Sequence, residues 1–218
     1  MNTKLIAVTK PKDENLSVEE FVAYVARVSN PSNQNNHETS QKLIKYLIRN
    51  KHWSPLEMVH AVIEINTTRD IARQILRHRS FSFQEFSQRY ADPTKDLGFV
   101  TREARLQDSK NRQNSIETDD KDLEIDWQLK QDLLIEIAKQ TYTWAIDKGV
   151  AKEQARAVLP EGLTVSRMYM SGSLRSWIHY CQLRMEVGTQ KEHREIATDC
   201  WYLLMQEFPA LGELLKEK

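Results

Sequence analysis

Arg77, His78 and Arg79 put three cationic or cationisable side chains in a row, and Glu85, Ser87 and Arg89 follow within one short excursion. Arginine presents a rigid planar fork of donors that matches phosphate and carboxylate. Serine hydroxyls and backbone amides can complete an anion cradle around such a fork. A plainer reading also fits: cations at the end of a helix complement its dipole, a contribution of ~0.3–1 kcal/mol. Phe81, Phe83 and Phe86 favour the cradle, because they set the basic segment on an apolar support that solvated charge runs rarely have.

Other segments hold further candidates. Arg156 lies in a short helical stretch before Pro160, where it could bind an anion or simply be solvated. Leu174, Trp177, Ile178 and Cys181 recur at i, i+3, i+4 and i+7, a core face, and Arg184 continues that face. An unpaired buried charge costs several kcal/mol. Arg184 must therefore be paired, bind a polar or anionic ligand, or snorkel from a frayed end. Arg175 and His179 are i, i+4 neighbours on an adjacent face. Ser173 opens this helix, where free amides favour a phosphate. Ser54, in His52-Trp53-Ser54-Pro55, suits a turn or a helix cap. Glu57 and His60 are three apart, but on a strand they do not share a face, so no metal site is expected. Cys181 and Cys200 form no Cys-x-x-Cys pair and sit among apolar residues. They are expected to be buried reduced thiols in a reducing, cytoplasmic compartment.

Arg77-His78-Arg79, seven residues, then Ser87 resembles the signature of flavin-dependent thymidylate synthases, the thymidylate synthase complementing protein family. Ala155-Arg156-x-x-Leu159-Pro160 and His52-x-Ser54-Pro55 resemble two further elements of that family. The resemblance runs from about Ala23 to Ala197 and is strongest in 77–90 and 155–184. It implies an α+β enzyme that makes dTMP from dUMP. The family uses FAD, methylenetetrahydrofolate as carbon donor and NADPH or NADH as reductant. It implies a homotetramer whose active sites lie between subunits. Arg184 would contact the uracil ring and help to activate it. Gln74, Arg77, Glu85, Phe86, Ser87, Gln88, Arg89 and Arg156 would hold dUMP with it. Ser54, Arg77, His78, Arg79, Glu85, Ser173, Leu174, Arg175 and His179 would hold FAD, with His52 near the ring. Ser173 and His179 stand where some members carry Asn, and both can still hydrogen-bond. Gln190 to Arg194 is more charged than the family pattern suggests and fits a solvated helix start.

Elements to position these residues can be read from periodicity. Residues 5–8 and 59–66 suggest strands, and 18–28 a helix with a Ser17–Glu20 capping box. Residues 30–36 read as a loop, 39–50 as a helix with Leu43, Ile44, Leu47 and Ile48 on one face, and 70–76 as a short helix. Residues 101–121 are the most polar part of the chain and suggest a long loop or mobile excursion. A helix is expected over 123–148, with Leu123, Trp127, Leu134, Ile137, Ala138 and Ala145 as its apolar stripe and Gly149 as its terminator. A short helix at 151–158, a strand at 164–170, a turn at 171–173 and helices at 174–185 and 191–207 complete the order. The result is a helix-rich α+β domain over 1–218 with a small mixed or antiparallel sheet.

Bulk properties narrow the classes. The chain has 218 residues, 31 basic and 31 acidic, so its formal net charge is zero. That argues against a surface-wide nucleic-acid footprint. No apolar run approaches the ~20 residues that span a bilayer, and 1–10 lacks a signal-peptide stretch. A Gly-x-Gly-x-x-Gly or phosphate-loop motif is missing, so those nucleotide folds are not indicated. Two alternatives stay open: a related flavoprotein acting on another pyrimidine nucleotide, and a non-enzymatic nucleic-acid-binding module using 77–89.

Overall fold

A computed structural model describes residues 1–213. The last five residues of the domain expected over 1–218 lie outside the described residues. In chain order the elements are β1 (Asn2–Val8), α1 (Val18–Ala26), α2 (Ser40–Arg49), β2 (His60–Thr68), α3 (Arg69–Ile75), β3 (Ser82–Glu85), α4 (Pro93–Asp96), β4 (Arg105–Gln107), β5 (Ser115–Glu117), α5 (Lys121–Asp147), α6 (Lys152–Ala155), β6 (Val165–Ser173), α7 (Leu174–Arg184) and α8 (Lys191–Glu207). The main sheet is antiparallel throughout, in the order β1-β2-β6-β3. The expected capping box closes the start of α1: Glu20 N–H donates to Ser17 Oγ, and Ser17 N–H donates to Glu20 Oε2 at 2.7 Å.

The core follows from period-2 alternation. In β2, Ala61, Ile63 and Ile65 point inward, and their partners in β6 are Gly172, Met170 and Met168. This face meets Ile71 and Ile75 of α3, Trp177 and Ile178 of α7, and Ile196, Trp201 and Leu204 of α8. Trp177 is fully buried, and its indole N–H donates to the Ala61 carbonyl at 3.1 Å, which removes the cost of an orphaned donor.

Four sequence expectations are corrected. Residues 101–121 are not a featureless loop, because β4 and β5 form a hairpin. Its strands carry one large apolar residue each, Leu106 and Ile116, too few to show a period. The connection is held instead by Asp108, whose carboxylate accepts from the amides of Lys110 and Asn111. The segment before Glu85, taken as an excursion, holds the strand β3. Ser171-Gly172-Ser173 is no turn; it completes β6. Along α5 the buried positions are Gln131, Ile135, Ala138, Tyr142 and Ala145, while Leu123, Trp127, Leu134 and Ile137 stay exposed. This helix carries apolar residues on more than one face, so periodicity alone could not say which packs inward. Gly149, with φ +79°, does end it as expected.

Gly172 is needed for a close approach. A Cβ there would lie 2.4 Å from Cδ1 of Phe81, the residue that leads into β3. Gly172→Ala should therefore push Phe81 off its seat and lower stability by about 1–3 kcal/mol, the usual range for overpacking. Urea denaturation measures this, and Phe81→Leu in the same chain should recover part of the loss. An unchanged midpoint would refute the tight contact.

Candidate active site

The sheet brings the two distant segments together. β3 pairs with β6, and β6 runs directly into α7, whose N-cap is Ser173. The Arg77-His78-Arg79 turn, just before β3, thereby lies along α7. Ser176 Oγ donates to the Ser80 carbonyl at 3.4 Å, and the Phe81 ring meets Trp177 edge-on at 4.9 Å. At the C-terminal end of α7, Arg184 Nε donates to His78 Nε2 at 2.9 Å. The motif and the helix thus meet within one chain.

His78 must be neutral at that nitrogen to accept. Burial, followed by the Arg184 charge, lowers its pKa to about 4. Its ring packs edge-on against buried Tyr180 at 4.9 Å. His193 of α8 is fully buried beside them, its pKa lowered to about 3 by burial, then by Arg184 and His78. Its two ring nitrogens face Gln74 Oε1 and the Tyr180 hydroxyl, each at 3.2 Å. Gln74 Nε2 donates to Gln190 Oε1 at 2.8 Å. The 190–194 segment is therefore no solvated helix start: Gln190, Glu192 and His193 face the site. A signal was present, since His193, Ile196, Ala197, Cys200 and Leu204 share one helical face, and a histidine in that register must be satisfied internally.

A second group surrounds a cleft of about 490 Å³ lined by Arg69, Arg73, Gln88 and Arg156. Glu85 serves these cations. It accepts from Arg73 at 2.5 Å and from Ser166 Oγ at 2.8 Å, and it lies 3.8 Å from Arg69. Gln88 is buried and its Nε2 has no protein partner, a donor left for a ligand. Arg69 and Arg73 escaped sequence reasoning because nothing in their spacing distinguishes them from a solvated helix face. Ser87 lies in the following turn, its Oγ accepting from Arg89 N–H at 3.3 Å. Arg89 pairs with Glu153 at 3.3 Å, and Phe86 N–H extends the sheet to the Arg167 carbonyl. Arg77 and Arg79 are exposed, and among the described residues neither forms an ion pair.

The third group gathers where α7 starts. Arg175 pairs with Glu57 at 2.5 Å, and this hydrogen bond, followed by that from Ser173, holds the Glu57 carboxyl below its usual range. His179 meets Trp53 edge-on at 4.4 Å, and burial lowers its pKa. Ser54 is exposed at the head of the turn Ser54–Met58. Two of the amides expected to be free at this helix start are engaged: Leu174 N–H donates to the Val59 carbonyl at 2.8 Å, and Ser176 N–H to Ser173 Oγ. The Leu174 side chain is in the core. Ring edges and the Arg175 guanidinium, more than helix amides, are what this end presents.

The family described as thymidylate synthase complementing protein matches residues 9–210. The chain belongs to that family. It is 48% identical over 216 residues to a probable flavin-dependent thymidylate synthase of Paramecium bursaria Chlorella virus 1, with 99% of each chain covered. It is 48% identical over 220 residues to a flavin-dependent thymidylate synthase of Synechocystis sp., covering 99% of this chain and 100% of the relative. A solved UMP/dUMP methylase from Streptomyces cacaoi bound with 5-Br dUMP superposes with a TM-score of 0.81 at 24% sequence identity, covering 99% and 94% of the two chains. That likeness shows that the α+β fold is shared.

In this member of the thymidylate synthase complementing protein family both cysteines are fully buried, and burial pushes the Cys181 and Cys200 thiols up. Neither is placed to act as a thiolate nucleophile. Among the described residues no cluster of His, Cys, Asp or Glu could hold a metal ion, and no helix is long and apolar enough to cross a membrane.

The neutral histidines give a signed pH prediction. Between pH 6.5 and about 4 an unfolded chain protonates His78 while the folded chain does not. The unfolded state then binds more protons, so stability falls as pH drops through that window and is unaffected by this residue above it. Urea midpoints of wild type and His78→Gln at pH 7.5, 6, 5 and 4.5 should diverge in slope, the wild type falling more steeply. Parallel curves would show that His78 titrates normally in the fold.

Proposed function

We infer that this chain is a flavin-dependent thymidylate synthase, an enzyme that reductively methylates dUMP to dTMP. Methylenetetrahydrofolate would give the carbon, and NADPH or NADH the reducing equivalents through bound FAD. The observation that carries this reading is the bond from Arg184 to a neutral His78. It joins the Arg-His-Arg motif to α7 in a chain whose full length matches relatives of that name.

The residues present fit an anionic, planar ligand set. Among the described residues Arg77 and Arg79 are exposed without carboxylate partners, Gln88 offers an orphaned buried donor, and Arg156 lines a cleft with Arg69 and Arg73. Arg156, Gln88, Ser87 and Arg89 would hold the nucleotide, the arginines by forked contacts with phosphate. Ser54, Arg77, Arg79, Arg175 and His179 would hold FAD, and Glu85 keeps Arg73 in place at the nucleotide cleft. When bound, FAD supplies the hydride chemistry. Arg184 would stabilise negative charge developing on the pyrimidine, and His78 can orient that guanidinium without cancelling its charge. The buried thiols leave the protein no cysteine nucleophile, so Cys181→Ala with Cys200→Ala should retain turnover in folded protein.

The exposed apolar residues of α5, among them Leu129, Leu133, Ile137 and Trp144, support a homotetramer with shared active sites, since one helix rarely keeps so much apolar surface in water. The two free, buried cysteines fit a reducing, cytoplasmic compartment. Leu133→Asp with Ile137→Asp should shift sedimentation from tetramer to smaller species and abolish turnover with it. A tetramer that survives both charges would remove α5 from the interface.

Tritium release from 5-labelled dUMP tests the activity. Release is expected with FAD, NADPH and methylenetetrahydrofolate all present, and Arg184→Ala should reduce it by roughly 10²–10³-fold, the usual loss for an electrostatic stabiliser. Release from labelled UMP but not from dUMP would establish the other-pyrimidine reading instead. No release from either would sink both.

A further inference from the structure

The contacts around Gln74 have only one consistent direction. Glu192, buried and ion-paired with Arg105 and Arg102, can only accept. Gln190 must therefore turn its amide nitrogen to Glu192, at 2.9 Å, and its oxygen to Gln74. Gln74 must then give its nitrogen to Gln190 and its oxygen to His193 Nδ1. His193 must carry its proton on Nδ1, which leaves Nε2 to accept from the Tyr180 hydroxyl. Reversing any one member of this row would set two acceptors or two donors face to face. One hydrogen of the Gln74 amide nitrogen has no protein acceptor among the described residues. Tyr180 also walls His78, the acceptor of Arg184, so Gln74 is fixed relative to Arg184 through His193.

We propose that His193 is a positioning residue that fixes the Gln74 amide with a hydrogen-bond donor toward the pyrimidine, so that the site accepts a ring carbonyl and rejects a ring amino group. The proposal rests on the reading that the pyrimidine of dUMP lies beside Arg184 and Gln74. The ligand class follows from polarity: a uracil ring offers carbonyl oxygens to a fixed N–H, whereas cytosine puts an amino group where one of them stands.

Two substitutions separate positioning from mere packing. An Asn amide at 193 can occupy the place of Nδ1 and still donate to Gln74, while a Gln amide occupies the place of Nε2 and reaches toward Tyr180. Binding of dUMP and dCMP to FAD-loaded protein, followed through flavin absorbance, is the readout. His193→Gln should weaken dUMP about tenfold, the worth of one hydrogen bond, and should narrow the preference over dCMP. His193→Asn should stay within about threefold of wild type, since its donor to Gln74 is kept. In a Gln74→Ala background the His193→Gln effect should vanish, because coupled residues are non-additive. Tyr180→Phe, which keeps the buried ring, should weaken dUMP in the same direction and covers the case of a His193 variant that does not fold. Equal effects of Asn and Gln, an effect that persists without Gln74, or unchanged dUMP binding in Tyr180→Phe would overturn the proposal. Wild-type FAD-loaded protein that binds no dUMP would instead overturn the substrate reading, and the proposal with it.

Discussion

β6 is hydrogen-bonded along both edges, to β2 on one side and to β3 on the other, and this double pairing sets the position of everything in the site. A one-residue slip would turn Met168 and Met170 out of the core and Tyr169 into it, so the hydrophobic pattern holds the register firmly. With that register fixed, Phe81 lands on Gly172, Ser173 caps α7, and the Arg77-His78-Arg79 turn is laid against the helix that ends in Arg184. The site is therefore a by-product of sheet pairing between segments about ninety residues apart. Its accuracy is inherited from main-chain hydrogen bonds that surface side chains cannot disturb.

Electrostatics then divides the cations into those already used and those still available. Glu85 occupies Arg73, and Glu192 occupies Arg102 and Arg105. Arg184 is given a neutral imidazole in place of a carboxylate, which orients its guanidinium while its full charge remains. Burial is what makes this arrangement self-consistent. A protonated His78 or His193 would place like charges side by side in a poorly solvated region, and both pKa values are driven far enough down to prevent it. A chain with zero net charge can in this way present a cationic face to a nucleotide, by spending its carboxylates elsewhere.

Much of the fold was legible because its signals are local. The Ser17–Glu20 capping box, the Ala61/Ile63/Ile65 alternation and Gly149 each report a short-range constraint. The spacing from Arg77 to Ser87, with Arg156 and Arg184, pointed to a family because those polar positions owe nothing to core patterning. What was missed depends on partners far away in sequence. β3 is a strand only because β6 lies beside it, and the β4–β5 hairpin is held by side-chain-to-backbone bonds with almost no apolar pattern. The inward face of α5 was chosen by Arg102, whose amide and carbonyl bind Gln131, over a helix with several equivalent apolar stripes. Glu192 and His193 looked like a charged helix start because their distant partners, Arg105, Gln74 and Tyr180, come from three other places in the chain.

That last group shows why buried polar residues on an apolar helix face carry more information than exposed charge. An exposed cation satisfies itself with water, so its position constrains little. A histidine with no solvent contact must match one donor and one acceptor, and each partner must in turn be satisfied. The constraint propagates from the Glu192 carboxylate to the Tyr180 hydroxyl and sets one tautomer and two amide orientations. Beside Arg184, a charge that any anion could neutralise, such a chain supplies the directional contact that distinguishes one planar ring from another.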